Sequence, residues 1–286
     1  MAAVGLVLHE YRPEATELAR LTIDMLESGA NLVRLPKADA AQVDRIDLGY
    51  DDHAFGPGLD LVVSIGGDGT MLRAVHLVVG SDVPVLGVHA GHLGYLTEVE
   101  PKDLHSSVGA FLAGDYQIEE RMLVAAGIEM SSGSFAVGSE HGLNEVVVEK
   151  APSGRTVRLA VSIDGEYFHT YATDGLIVAT PTGSTAYSFS ARGPIVAPDH
   201  RALILTPVAP HMLFDRSLVL RPGTSVRIEV AGHRPATVAV DGRHLGTVQV
   251  GDAIVCTASP LTARLVTFGP RNFHGILKTK FGLNDR

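Results

Sequence analysis

Asp68 lies in Ser64-Ile65-Gly66-Gly67-Asp68-Gly69-Thr70, a turn that follows the apolar run Leu59 to Ile65 and opens the helix-like stretch Met71 to Val79. Such a turn gathers backbone N–H groups and the positive end of a helix dipole, which together favour phosphate. Gly66, Gly67 and Gly69 let the main chain approach a ligand closely. The carboxylate is the unusual feature. Beside bound polyphosphate it is costly unless it takes a proton from a nucleophile or works through a metal ion. The segment reads equally as a plain turn between strand and helix. It is neither Gly-x-Gly-x-x-Gly nor a Walker loop, since the chain contains no Gly-Lys pair. Arg73, one turn into the helix, suits either a phosphate contact or an exposed position.

Three further segments stand out. Gly87-Val88-His89-Ala90-Gly91-His92-Leu93-Gly94-Tyr95-Leu96-Thr97-Glu98 is a second glycine-rich loop. Asn144-Glu145 precedes the strand-like Val146 to Glu149 and by itself reads as a turn. Asp174 to Ser190 runs as a strand, a Pro/Gly turn at Pro181 to Gly183, and a helix start dense in hydroxyls, where capping by Ser184 or Thr185 is the simplest role.

Gly66-Gly67-Asp68-Gly69-Thr70 resembles the signature shared by NAD kinases, diacylglycerol and sphingosine kinases and, more loosely, phosphofructokinases. That motif leaves the substrate open, but the second glycine loop, Asn144-Glu145 and above all Asp174-Gly175 through Pro181-Thr182-Gly183-Ser184-Thr185-Ala186-Tyr187-Ser188-Phe189-Ser190 are similar to NAD kinases in particular. The resemblance implies that Asp68 is the base that activates the acceptor hydroxyl, the 2′-hydroxyl of the adenosine ribose of NAD. It implies that Gly66, Gly67, Gly69 and Thr70 bind the donor phosphates. The implied NAD contacts are Asp68, Gly69, Arg73, Asn144, Glu145, Asp174 and the run Thr185, Ala186, Tyr187, Ser188, Phe189 and Ser190, with Arg155, Ala209 and Arg243 carried over more weakly. The chemistry suits these roles: an amide pairs with an adenine edge, a carboxylate accepts from ribose hydroxyls, and Tyr187 offers a ring and a hydroxyl. The donor implied is ATP or inorganic polyphosphate with Mg²⁺ or another divalent cation, and the assembly implied is a homodimer or homotetramer. Two departures are visible: His89 where many members carry Asn, and Ala191-Arg192-Gly193-Pro194 in place of Ala-Gly-Gly-Pro, with Arg192 directed either to the ligand or to solvent. A lipid kinase would share the Asp68 turn and lack the Thr-Gly-Ser-Thr-Ala-Tyr element. A non-catalytic dinucleotide sensor would have no use for Asp68.

The elements that must position these residues follow from the patterning. Residues 1 to about 115 alternate strand-like and helix-like runs, predicting a Rossmann-like α/β domain whose ligand lies beyond the carboxyl ends of its strands. From 116 to about 265 short β-rich runs separated by Gly, Asp and Pro predict an all-β, sandwich-like domain, interrupted by one helix near Ser184 to Ala191. Residues 266–286 read as a C-terminal segment that returns to the first domain, with a helix over Asn272 to Phe281.

Composition narrows the class further. The 286 residues are 45% hydrophobic and 19% charged, a globular balance. A net charge of −9 argues against nucleic acid and anionic membrane as partners. No apolar run approaches a bilayer-spanning length, and Met1 to Leu8 lacks a basic start, so a cytoplasmic protein is expected. The thirteen histidines show no ligand spacing, so no dedicated metal site is expected, and the single cysteine, Cys256, reads as a buried thiol.

Overall fold

The computed structural model describes residues 1–91, 94–131, 135–151 and 155–283. It divides into two compact units, Met1–Glu120 with Ala263–Arg286, and Arg121–Thr262.

In the first unit the Val, Leu and Ile runs form strands buried along their length, and amphipathic stretches form the helices between them. In chain order these are β1 (Ala3–Leu8), α1 (Pro13–Ser28), β2 (Leu32–Pro36), α2 (Lys37–Gln42), β3 (Gly49–Tyr50), α3 (Asp52–Phe55), β4 (Leu61–Gly66), α4 (Asp68–Val78), β5 (Val85–His89) and α5 (Leu104–Ala113). The strands pair in parallel in the order β3-β2-β1-β4-β5. The order reverses between β1 and β4, and ligands of open α/β sheets bind beyond the carboxyl ends at such a reversal. The Asp68 turn sits at the carboxyl end of β4. Ala15, Ala19, Ile23 and Leu26 form the inner stripe of α1 against Leu6, Leu8 and Ile65, while Leu104, Val108 and Phe111 bring α5 into the same core. A fully buried Leu or Ile of this kind contributes roughly 1.5–3 kcal/mol.

The second unit is antiparallel. Its elements are β6 (Gln117–Glu129), β7 (Phe135–Gly142), β8 (Glu145–Lys150), β9 (Val157–Ile163), β10 (Glu166–Thr173), β11 (Gly175–Ala179), α6 (Tyr187–Ser190), β12 (Leu203–Val208), β13 (Leu218–Leu220), β14 (Val226–Val230), β15 (Ala236–Val240), β16 (Arg243–Val248) and β17 (Ala253–Thr267), and the chain ends with α7 (Phe273–Phe281). One sheet runs β13-β12-β11-β8-β15-β16. Period-two alternation turns Val146, Val148, Leu176, Val178, Leu203 and Leu205 of this sheet inward, onto Leu159, Val161, Ile228, Ile254 and Cys256 of β9, β14 and β17. Burial pushes the Cys256 thiol up to about 12, leaving it inert. The opposite face of the six-stranded sheet carries Val147, Ile177, Ala179 and Ile204, covered in part by Ala191, Val196 and Val208.

The helix predicted near Ser184 to Ala191 is shorter than its pattern suggests. A tight turn spans Thr182–Thr185, Ala186 leaves helical geometry at φ −100° and ψ −128°, and only Tyr187–Ser190 continues as α6. Asn272 caps α7, its side chain accepting from the Gly275 N–H. Among the described residues no helix is long and apolar enough to cross a membrane.

Candidate functional site

The first unit presents a carboxylate in a fixed pose. Asp68 is the first residue of α4, after Gly67, and no side chain caps the helix, so its leading amides remain available. The Asp68 carboxylate accepts from the backbone N–H groups of Tyr95 (2.8 Å to Oδ2) and Leu96 (2.9 Å to Oδ1). The loop passes so close that a Cβ at Gly94 would stand 2.0 Å from Oδ1 of Asp68, which no side chain tolerates. A Cβ at Gly67 or Gly69 would meet nothing within 4 Å, so the turn is open where a phosphate would approach. Thr70 is buried with its hydroxyl folded against Gly66. His92 and Leu93 of the second glycine loop lie outside the described residues.

Arg73 is engaged by a carboxylate and a carbonyl of its own unit. Its guanidinium is bidentate to Asp39, at 2.9 and 2.6 Å, and also donates to the Leu8 carbonyl at 2.6 Å. Asp39 accepts as well from the Leu8 N–H at 2.7 Å, so the pair locks α4 and α2 to the end of β1. Burial raises the Asp39 carboxyl above its ordinary value, and Arg73 opposes that rise.

The second unit carries the other predicted residues, several of them along the outer face of the six-stranded sheet. Asp241 in the turn after β15, at φ +47°, accepts the backbone N–H groups of Leu143, Asn144 and Glu145 at 2.6, 2.8 and 3.0 Å, fixing the chain as it enters β8. The Asn144 carbonyl accepts from the Thr180 N–H at 2.9 Å, and a Cβ at Gly183 would stand 2.0 Å from it, so only glycine fits in the Pro181-Thr182-Gly183 turn. Glu145 is 7% exposed, and its Oε2 has no hydrogen-bond partner among the described residues. Burial, then the neighbouring Asp241 carboxylate, push its pKa up to about 8, against a hydrogen bond from the Tyr187 backbone N–H. Tyr187 is exposed, its backbone N–H bonding this group; burial, then Glu149, Asp174 and Glu145, raise its phenol above the usual value. Asp174 pairs with Lys150 at 2.7 Å.

A cleft of about 520 Å³ on this face is lined by Tyr187, Ser190, Arg192, Ala209, Asp215 and Arg216 among others. Tyr187, Ser190 and Ala209 therefore share one concavity. Thr185 is partly buried, donating to the Thr182 carbonyl, and Ala186 and Phe189 lie beside it on the short helix and turn. Ser188 is not on the open side: its fully buried hydroxyl bonds Thr206 at 3.0 Å. Arg243 pairs with Glu140 at 2.7 Å, and Arg155 is exposed on the approach to β9. Arg192 lines the cleft with a left-handed backbone, φ +68°. Among the described residues no three His, Cys, Asp or Glu side chains gather to hold a metal ion.

Comparison with known proteins places this arrangement. Residues 42–116 match the family model for the ATP-NAD kinase N-terminal domain, and residues 143–268 match that for the C-terminal domain. The NAD kinase of Heliobacterium modesticaldum is 39% identical over 98% of both chains, and that of Symbiobacterium thermophilum 37% identical over 98% of this chain and 99% of its own. The chain belongs to the NAD kinase family. Solved structures with the same fold include yeast NADH kinase complexed with NADH, with a TM-score of 0.90 and 24% identity over all of this chain and 89% of that one. An NAD kinase from Archaeoglobus fulgidus in complex with ATP superposes with a TM-score of 0.75 at 23% identity over the whole of both chains. The sequence patterns give no sign of three groups that hold the candidate residues within their own units. Asp241 holds Asn144 and Glu145 from 97 and 96 residues away, Asp39 holds Arg73 from 34 away, and the Tyr95 and Leu96 amides hold Asp68. The first two are acids in unremarkable loops or helices, and the third is backbone, which leaves no trace in residue type.

Proposed function

We propose that this NAD kinase phosphorylates the adenosine 2′-hydroxyl of NAD, with ATP as donor and Asp68 as general base. The observation that carries the reading is the Asp68 carboxylate, fixed by two amides at the head of an uncapped helix beside two open glycines. Uncapped amides at a helix start bind phosphate oxygens, and a ribose hydroxyl is a poor nucleophile until its proton is removed. Asp68 takes that proton as the hydroxyl oxygen bonds the γ-phosphorus, the bond from phosphorus to the bridging oxygen breaks, and ADP leaves. Gly66, Gly67, Gly69 and the Thr70 amide hold the donor. Because these contacts are to phosphate alone, inorganic polyphosphate is a second donor to assay beside ATP.

On the acceptor side, Asn144 pairs with the adenine edge, Glu145 meets the ribose hydroxyls, and Tyr187, Ser190 and Ala209 line the dinucleotide's cleft, with Thr185, Ala186, Phe189 and Asp174 bordering it. Arg73, Ser188 and Arg243 act instead as braces, through Asp39, Thr206 and Glu140. A divalent cation would be held by the donor's phosphate oxygens at this turn, with the Asp68 carboxylate at the head of α4 to balance its charge. When bound, such an ion neutralises charge on the transferring phosphoryl group.

Asp68→Asn tests the assignment, since it keeps shape and removes basicity. A positioned base contributes on the order of 10²- to 10⁴-fold, so kcat should fall at least that far across a magnesium titration while NAD affinity persists. Retention of more than about a tenth of kcat at saturating magnesium refutes the base. Wild-type product should be oxidised by an NADP-specific dehydrogenase and show a 2′-phosphate by phosphorus NMR; a phosphate elsewhere refutes the acceptor.

A further inference from the structure

The two amides that hold Asp68 belong to a segment with no regular structure of its own, which raises the question of what holds the segment. The answer lies at the far end of the chain. Arg271, only 11% exposed, donates from one guanidinium nitrogen to the carbonyls of Tyr95 (3.2 Å) and Thr97 (3.4 Å), the residues that flank Leu96. Glu98 and Glu119 lie within 4 Å of the same guanidinium, at 3.9 and 3.7 Å. The C-terminal stretch grips the segment twice more: the Phe268 N–H donates to Glu98 at 3.2 Å, and Lys280 of α7 stands 4.7 Å from the centre of the Tyr95 ring. From the other side, Gly94 N–H bonds the Thr97 hydroxyl at 3.1 Å, and the Glu98 and Val99 amides bond the Gly87 carbonyl. A peptide gripped at its carbonyls presents its amides in one direction, and here that direction is the Asp68 carboxylate.

We propose that Arg271 is a positioning residue for phosphoryl transfer, fixing Tyr95 to Thr97 so that their amides aim Asp68. This rests on the reading of Asp68 as the base. A guanidinium suits the task because one of its nitrogens, which bears two N–H groups, reaches both carbonyls while the rest of the planar fork lies beside Glu98 and Glu119, and a buried one is costly to keep without partners on several sides. Misplacing a reacting group by about 1 Å costs on the order of 10²-fold. Arg271→Ala should therefore lower kcat by about that factor and leave KM for NAD within about twofold, because it touches no acceptor contact.

A double-mutant cycle with Asp68→Asn separates positioning from general support of the fold. Residual turnover is read as NADP formed at high enzyme concentration over long incubation. A residue that acts through Asp68 is silent once the base is gone, so the double variant should turn over no more slowly than Asp68→Asn alone. An equal further loss in the Asp68→Asn background overturns the proposal, as does unchanged kcat in Arg271→Ala. If Asp68→Asn by itself keeps wild-type turnover, the base assignment fails first and the relay falls with it, a result distinct from the other two. Arg271→Lys keeps the charge, but its single ammonium cannot meet both carbonyls and both carboxylates at once, so it should show a smaller kcat loss at unchanged melting temperature; it carries the cycle if Arg271→Ala does not fold. Free guanidinium ion at millimolar concentration should restore part of kcat to Arg271→Ala and none to Asp68→Asn. Rescue of neither, with a lowered melting temperature, marks Arg271 as structural only.

Discussion

Glu145→Gln should stabilise the empty enzyme increasingly as pH rises. Burial and Asp241 push the Glu145 carboxyl from its reference value of 4.5 to about 8. The folded state therefore holds this proton longer than the unfolded chain. Stability from the group is complete below pH 4.5 and is lost as pH climbs to about 8, the folded value. At 1.36 kcal/mol per unit, the stability lost relative to the low-pH limit is on the order of 3 kcal/mol at pH 7 and about 5 above pH 8, an upper range because a folded protein relaxes around a new charge. Glutamine keeps the shape and never ionises. In urea titrations at half-unit steps from pH 5 to 9, the stability of Glu145→Gln minus wild type should climb by up to about 1.4 kcal/mol per pH unit to pH 8 and then level. Any strain the amide introduces shifts the whole difference curve without tilting it, so the slope is the test. A flat difference across the range refutes the argument, and would mean that Oε2, partnerless among the described residues, is solvated well enough to ionise normally. If Glu145 meets the ribose as proposed, a carboxyl raised in this way would donate to a ribose oxygen as well as accept from one.

Tyr187→Ala should raise KM for NAD about fivefold or more and leave KM for ATP near wild type, since ring stacking is worth about 1 kcal/mol; equal losses for both substrates place the acceptor elsewhere. Arg192→Gly should raise the melting temperature slightly, because a left-handed φ of +68° costs a side-chain-bearing residue about 1–2 kcal/mol and glycine's extra unfolded entropy returns only part of it; a lowered melting temperature shows that the guanidinium holds a compensating contact in the cleft. Arg73→Ala should cost about 3–5 kcal/mol in denaturant titration by stranding buried Asp39, and Asp39→Asn should recover part of it in the double variant; weaker binding of NAD or ATP at unchanged stability returns Arg73 to the ligand.

The fold was legible because burial writes itself into residue type. Strands buried on both faces, such as Leu61–Gly66, read as unbroken apolar runs, while Val226–Val230, buried on alternate residues, reads as period two. Glycines at Gly66, Gly67 and Gly69 mark a turn for a reason visible in one dimension. What stayed hidden was partnership across sequence distance. Arg73 and an arginine that meets phosphate look alike in the sequence; the pairing with Asp39 from α2 is not legible there. Ser188 and Ser190 sit two residues apart in one hydroxyl-rich run, yet one faces Thr206 in the core and the other the cleft, because a four-residue helix that starts after a break at Ala186 has a phase no pattern of that length fixes.

The hidden partners share a form. Asp241 gathers three successive amides at Leu143, Asn144 and Glu145, and Asp68 is itself gathered by two successive amides at Tyr95 and Leu96. In each case a carboxylate and a short run of backbone fix one another, and the side chain of chemical interest is set in place by main-chain atoms. Backbone amides have no rotamers to lose, so a residue fixed this way keeps its pose at little entropic cost when substrate arrives. It follows that substitutions which alter only side chains around these runs should be tolerated better than changes at Gly94 or Gly183, where an added Cβ would stand 2.0 Å from Oδ1 of Asp68 and 2.0 Å from the Asn144 carbonyl oxygen.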